Sequence, residues 1–250
     1  MSGHSKWHSI KHKKGAADAK RGKIFTRHAN LITIAARSGG DPEMNPTLRL
    51  AIDNAKADNV PNNNIERAVK RGTGEDKSAA QIEEVTYEGY GPGGTAVLVE
   101  CLTDNTNRTY TNIRTVFNKR GGNLGGSGSV AWMFDRKGVI TMNLEGKDAD
   151  EVELTAIDAG ADDIWKEGND MEIYTNPSQL STVNNKLKEA GIASEKAEVQ
   201  MVPNQTVAVT DEATAKKIMD FMEALDEDMD VNNVSSNFDI PDDIMEKISE

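Results

Sequence analysis

Gly121-Gly122-Asn123-Leu124-Gly125-Gly126-Ser127-Gly128-Ser129, five glycines in nine residues, decides how the rest of the chain divides. Before it, residues 82–120 read as two strands and a helix. Ile82–Glu88 alternates and Thr95–Thr103 is a more apolar strand. Gly89–Gly94 turns between them, and Asn105–Asn118 has helical spacing with Tyr110, Ile113, Val116 and Phe117 inward. After it come Ser129–Phe134 and Gly138–Asn143, read as a hairpin turning at Asp135-Arg136-Lys137. A helix over Asp148–Gly160, a strand at Met171–Thr175, a helix from Asn176-Pro177 to Gly191 and a strand over Ala193–Val202 follow. The last segment reads as a strand at Thr206–Thr210, a helix at Asp211–Leu225 and a strand at Asp230–Phe238. Segments of two strands and one helix bury too little surface to stand alone. Joined, 82–120 and 206–238 make a β-β-α-β-α-β unit, the same order as 129–202. The expected fold is therefore α+β and multidomain. It has an N-terminal helical domain followed by two small α+β domains of β-β-α-β-α-β type, one inserted in the other. Residues 81–128 with 203–240 form the discontinuous domain, and 129–202 form the insert.

Upstream, apolar groups recur at Ile24, Phe25, Leu31, Ile32 and Ala35, one stripe of a helix from Ala17 to Ser38 that Gly39-Gly40 stops. Pro46 suits the first turn of a second helix with Leu48, Ala51, Ile52 and Ala55 inward. A third starts near Asn62, shows Ile65, Ala68 and Val69, and ends at Gly72. Short amphipathic helices need one another to bury their stripes, so 1–80 reads as a basic arm (1–16), three helices and a polar linker (73–80).

Charge is distributed unevenly. The 250 residues carry a net charge of -12, yet residues 1–30 hold eight Lys/Arg against Asp18 alone, a net +7. Residues 31–80 balance at seven of each sign, leaving -19 on the remaining 170. A basic end on an acidic body suggests a polyanion partner, because Lys and Arg at phosphates release condensed counterions. No stretch approaches the ~20 apolar residues of a membrane span, and the N-terminus lacks the apolar core of a signal peptide. The lone Cys101 permits no internal disulfide, which fits a reducing cytoplasm. Asn107-Arg108-Thr109 matches a glycosylation acceptor that, without a secretory signal, has no use.

Within the arm, Lys and Arg alternate with Trp7, Ile10 and histidines, and Trp7 can stack on an unpaired base. A solvated charge run and an anionic membrane surface are the competing readings. His4, His8 and His12 have helical metal-pair spacing, but neighbouring lysines and the lack of a carboxylate or thiol disfavour a cation. Gly89-Tyr90-Gly91-Pro92-Gly93-Gly94 matches the dinucleotide fingerprint in letters only, since it precedes a strand rather than opening a helix. The run at 121–129 can present N–H groups to phosphate or act as an interdomain hinge, and Lys119-Arg120 precede it. Every histidine lies within the first 28 residues and Cys101 sits in a strand, so no His-based triad or Cys–His pair is plausible. Asp226–Asp230 and Asp242-Asp243 read as solvated acidic surface.

Four motifs carry a family resemblance. Ser2-Gly-His-Ser-Lys-Trp7, Lys20-Arg-Gly-Lys-Ile-Phe25, Tyr87-Glu-Gly-Tyr-Gly-Pro-Gly-Gly94 and Gly121-Gly-Asn-Leu-Gly125 with Gly128-Ser-Val130 resemble the YebC family, in order over nearly the whole chain. The chain is similar to the bacterial form, its first motif following Met1 directly. The resemblance implies a three-domain cytoplasmic protein with a helical N-terminal domain and two α+β domains. The family carries the label of probable transcriptional regulator, with DNA binding reported for some members. Others, including a mitochondrial translational activator, act on the ribosome and help it through proline runs. Ser9-Ile10 and Lys11–Lys14 fall on variable ground, which weakens roles for His8 and His12.

The expectation is a non-enzymatic, cytoplasmic, nucleic-acid-binding regulator of gene expression, acting on the ribosome to ease stalled elongation. Lys6, Trp7, Lys11, Lys13, Lys14, Lys20, Arg21, Lys23 and Arg27 would grip ribosomal RNA, and Lys119 and Arg120 would make a second contact. No cofactor, metal, membrane or small-molecule substrate is expected. The alternative is a transcriptional regulator at promoter DNA. A protein-interaction adaptor using the acidic domains is the reading from another class.

Overall fold

The structure, a computed structural model, describes residues 18–76 and 80–249. Lys6, Trp7, Lys11, Lys13 and Lys14 lie outside the described residues, as do His4, His8, His12 and the side chain of Lys20. The first helix, α1, runs Asp18–Ala35, followed by α2 (Pro46–Ala57) and α3 (Asn62–Gly72). Asn45 starts α2 by accepting the Leu48 N–H (3.1 Å), with Pro46 in the first turn. Then come β1 (Glu83–Tyr90), β2 (Ala96–Thr103), α4 (Thr106–Lys119), β3 (Asn123–Leu124), β4 (Phe134–Asn143), α5 (Ala149–Ala159), β5 (Asp163–Glu167) and β6 (Asp170–Thr175). The chain continues through α6 (Leu180–Glu189), β7 (Lys196–Pro203), β8 (Val207–Ala208), α7 (Glu212–Asp226), β9 (Val231–Ser236), β10 (Phe238–Asp239) and α8 (Asp242–Ser249). The mixed helix-and-sheet class is as expected.

The described residues pack into two compact units. One falls within 1–30, 79–135 and 201–250, the other within 31–78 and 136–200. In the first, a sheet ordered β3-β1-β2-β9 is antiparallel throughout. Strand β2 is covered on both faces, which is why it reads as an unbroken apolar run. Val97, Val99 and Cys101 pack with Ile113 and Phe117 of α4 and Phe221 and Leu225 of α7. Ala96 and Leu98 pack on the other face with Val130 and Phe134. Phe117 meets Phe221 edge-on, centroids 4.9 Å apart, fastening the two helices to each other. Burial pushes the Cys101 thiol upward, so it is an inert core group.

In the second unit, a sheet ordered β5-β6-β4-β7 packs Ile140, Met142 and Ile173 against Val152 and Ala156 of α5 and Val183 and Leu187 of α6. Helix α2 adds Leu50 to this core. It is also tied to the sheet by an Asn54 amide bonded to the Ala197 carbonyl (2.7 Å) and to α6 by a Lys188–Asp53 ion pair (3.0 Å).

Several elements differ from expectation. The hairpin at 129–143 is a 3-10 turn (Ala131–Met133) followed by one strand, β4. Asp135, Arg136 and Lys137 imitate a turn because they precede Gly138, where pairing with β6 begins, and so stay polar. The fourth strand of that sheet is instead β5, an edge strand with too few apolar residues to show alternation. The order within the insert is therefore β-α-β-β-α-β. Tyr110 faces outward, 44% exposed, against Tyr87 at 6.1 Å. The C-terminal helix α8 packs Ile244 and Met245 into the first core and was not expected.

Candidate nucleic-acid interface

Residues 105–134 contain four Lys/Arg and no acid, in a stretch of 170 residues that carries -19. Its first half is α4, capped by the Asn105 side chain on the Arg108 N–H (3.0 Å). Arg108 is committed internally: its guanidinium meets Asp230 through Nη2 (2.8 Å) and Nε (3.2 Å) and Asp104 at 2.9 Å. These acids push the Arg108 pKa upward, hydrogen bonding to Asp230 first. Thr109 adds a 2.7 Å hydrogen bond to Asp230, whose side chain is only 12% exposed. Asp230→Ala is expected to cost about 2 kcal/mol by stranding these donors, read as a lowered urea midpoint. A midpoint equal to wild type would show that the pair contributes nothing. Arg114, Lys119 and Arg120 are exposed and, among the described residues, bear no ion pair.

The helix ends where Gly121 takes φ +80°, letting the Gly122 N–H reach back to the Phe117 carbonyl (2.9 Å). The chain then enters β3, which pairs Asn123 and Leu124 with Tyr90 and Gly89. That approach requires Gly89, since a Cβ there would lie 2.5 Å from the Asn123 carbonyl and 2.6 Å from the Phe117 ring. The glycine-rich run is thus held at a sheet edge.

Its second half is organised by Glu88, which is 7% exposed. One carboxylate oxygen accepts the Gly128 N–H (2.7 Å), the other those of Val130 and Ala131 (2.9 Å each). Burial raises the Glu88 pKa, but the N–H groups of Gly128, Val130, Ala131 and Ser129 more than offset it, and the net shift is downward. The loop does form an anion nest, yet its occupant is a side chain of this chain. Of the N–H groups in the run 121–129, that of Gly128 is thus taken by the Glu88 side chain, as are those of Val130 and Ala131 just beyond it.

What the loop offers outward is aromatic. Trp132, 62% exposed, donates its indole N–H to the Ser129 carbonyl (3.3 Å), and Tyr90, 37% exposed, donates its hydroxyl to the same oxygen (3.4 Å). Asn204 bonds the Trp132 and Met133 carbonyls (3.2 and 2.9 Å), pinning the turn from the returning chain. Neither Trp132, Tyr90 nor Glu88 was picked out from the sequence. The absence of acids over 105–134 was the available signal.

The basic side chains of α1 lie elsewhere. Lys23 pairs with Asp226 at 3.6 Å with 15% of its side chain exposed, and Arg27 Nε donates to Asn232 of β9 (2.9 Å). Arg21 is exposed. Helix α1 is thus fastened at the β9 edge of the sheet whose other edge carries the glycine-rich loop. Three strand spacings of roughly 4.8 Å put about 14 Å between those edges. Asp226 and Asp230 are engaged by Lys23 and Arg108, and Asp228 by the Asn112 amide (2.9 Å). Among the described residues no cluster of His, Cys, Asp and Glu could hold a metal, and no helix is long and apolar enough to cross a membrane.

Residues 5–75 match the TACO1/YebC protein N-terminal domain, and residues 82–238 match the TACO1/YebC second and third domain. Relatives named probable transcriptional regulatory protein include one from Halothermothrix orenii, 53% identical over all of both chains. Another, from Desulforapulum autotrophicum, is 53% identical over 98% of each. The crystal structure of a conserved hypothetical protein from Aquifex aeolicus is similar with a TM-score of 0.86 and 46% identity, over 93% of this chain and 96% of that one.

Proposed function

The chain belongs to the TACO1/YebC family, and from that premise we propose that it is a non-enzymatic, nucleic-acid-binding regulator of gene expression acting on the translating ribosome. The observation that carries the reading is the separation of charge. An acidic chain has two stretches in which basic groups stand almost without acids, the N-terminal run and 105–134, with α1 and the glycine-rich loop at opposite edges of one sheet. Two contacts at least ~14 Å apart suit a large, irregularly shaped polyanion such as ribosomal RNA. Lys6, Trp7, Lys11, Lys13, Lys14, Lys20 and Arg21 make the first contact, with Lys23 and Arg27 anchoring the helix that presents them. Lys119 and Arg120 make the second. In this proposal the chain works as domains 1–80, 81–128 with 203–240, and 129–202, the last an acidic spacer in the cytoplasm.

The test is sucrose-gradient sedimentation of lysate. Co-migration with the large subunit or 70S particles is expected at low salt, falling as salt rises and lost in a Lys13/Lys14/Lys20/Arg21→Ala variant. The protein remaining at the top of the gradient even at low salt would sink the ribosomal reading. The names of the relatives favour the second reading, promoter DNA. A footprint bound ~10³-fold more tightly than non-specific DNA would then take its place.

A further inference from the structure

We infer that the outward face of α5, in the second unit, is a docking surface for a protein partner. The partner is a basic amphipathic helix that covers Leu154 and Ile157 with its apolar side and meets the acids around them with Lys and Arg. The inference does not depend on the nucleic-acid reading above.

Helix α5 is apolar on two opposite sides. Val152, Ala156 and Ala159 are buried and pack into the core of their unit. Leu154 and Ile157 are 64% and 53% exposed. At roughly 100° per residue they point about 140–160° away from Val152. A helix laid on a core by one side carries polar residues on the other, and neither of these two side chains joins the core. Three residues apart, they are neighbours on the helix surface, so one partner groove can take both.

Acids surround the pair. Residues 148–165 contain seven Asp/Glu and no Lys, Arg or His. Asp148 has a local role, capping α5 by accepting the N–H groups of Asp150 (3.0 Å) and Glu151 (3.4 Å). Asp150, Glu151 and Asp158 are exposed, and each lies one turn from Leu154. Among the described residues none of these three carboxylates is in an ion pair. Acids in the first turn complement the helix dipole, but Asp158 stands in the last turn and opposes it. Its charge is therefore not there to stabilise the helix.

That charge decides the occupant. A second copy would set the same acids against one another, and like charges across an interface cost affinity. The phosphates of a nucleic acid or an anionic lipid are repelled in the same way. A helix whose apolar stripe is flanked by Lys and Arg fits both features. The apolar pair leaves water, and the carboxylates gain partners that also steer the encounter.

The test is fluorescence anisotropy of the full chain with a short fluorescein-labelled peptide in which leucines recur at helical spacing among lysines. Leu154→Ser/Ile157→Ser is expected to weaken binding about tenfold or more with the urea midpoint unchanged. Asp150→Asn/Glu151→Gln/Asp158→Asn is expected to weaken binding at low salt and to flatten its salt dependence. The same peptide with alanine in place of leucine is expected to bind at least tenfold more weakly. Amide exchange should slow at 149–159 when the leucine peptide is bound. Wild-type affinity in Leu154→Ser/Ile157→Ser, or equal binding of the alanine peptide, overturns the inference, because the acids alone would then account for binding. No binding by the wild-type chain overturns it as well. A wild-type dimer in analytical ultracentrifugation that Leu154→Ser/Ile157→Ser dissociates would make a second copy the occupant and overturn it too.

Discussion

Glu88→Ala is expected to destabilise the protein by about 3 kcal/mol and to release the glycine-rich loop. The carboxylate accepts the N–H groups of Gly128, Val130 and Ala131 from a position 7% exposed. Truncation leaves these donors without a partner, at roughly 1–3 kcal/mol for each that water does not reach. Gly128 is at the exposed rim, so the full sum is not reached. Glu88→Gln keeps one accepting oxygen and turns a donor toward the remaining N–H groups, so it falls between wild type and Ala. Amide hydrogen exchange provides the readout: protection at 128, 130 and 131 should drop in Glu88→Ala. Unchanged protection there would show that the loop holds its shape without the carboxylate. The same group makes stability depend on pH. Its folded pKa is depressed below the ordinary carboxylate value. Its contribution is therefore fully present above the unfolded carboxylate pKa and is lost as pH falls through the folded one. Wild type should lose loop protection on acidification across that range, while Glu88→Gln should show a flatter dependence.

Phe117→Ala is expected to be the most destabilising single change at this site, by about 3–5 kcal/mol. The ring is fully buried, packs edge-on against Phe221 and lies beneath Gly89 and Gly122. Its loss opens a cavity between α4 and α7 and removes the floor on which β3 rests. Chemical denaturation should show a lower midpoint with an unchanged slope. A loss under ~1 kcal/mol would mean that the site collapses around the gap, and the floor would then not depend on this ring.

The helices were legible because their apolar residues recur with a period that local geometry alone imposes. Asn45, Asn105, Asp148 and Asp211 mark starts that each side chain caps from within one turn. Strand β2 was legible because burial on both faces leaves a continuous apolar run. Strand β5 was not, since an edge strand needs little apolar surface. Asp135–Lys137 misled because polarity in a strand end and in a turn has the same composition and a different cause.

The charge division between residues 1–30 and the rest, and the four motifs of the family resemblance, follow from the sequence by itself. So do the helix-and-sheet class and the confinement of all four histidines to the first 28 residues, since each depends on residue counts, spacing or local periodicity. Only the tertiary structure decided that Glu88 takes the N–H groups of a loop 40 residues away, and that Trp132 is exposed on the turn that loop leads into. It also placed Lys23 and Arg27 at the β9 edge of a sheet whose β3 edge carries the loop. The physical reason is the same for all three. Contacts between residues tens to hundreds of positions apart are set by how sheets and helices close on one core, and one-dimensional periodicity carries no record of that closure.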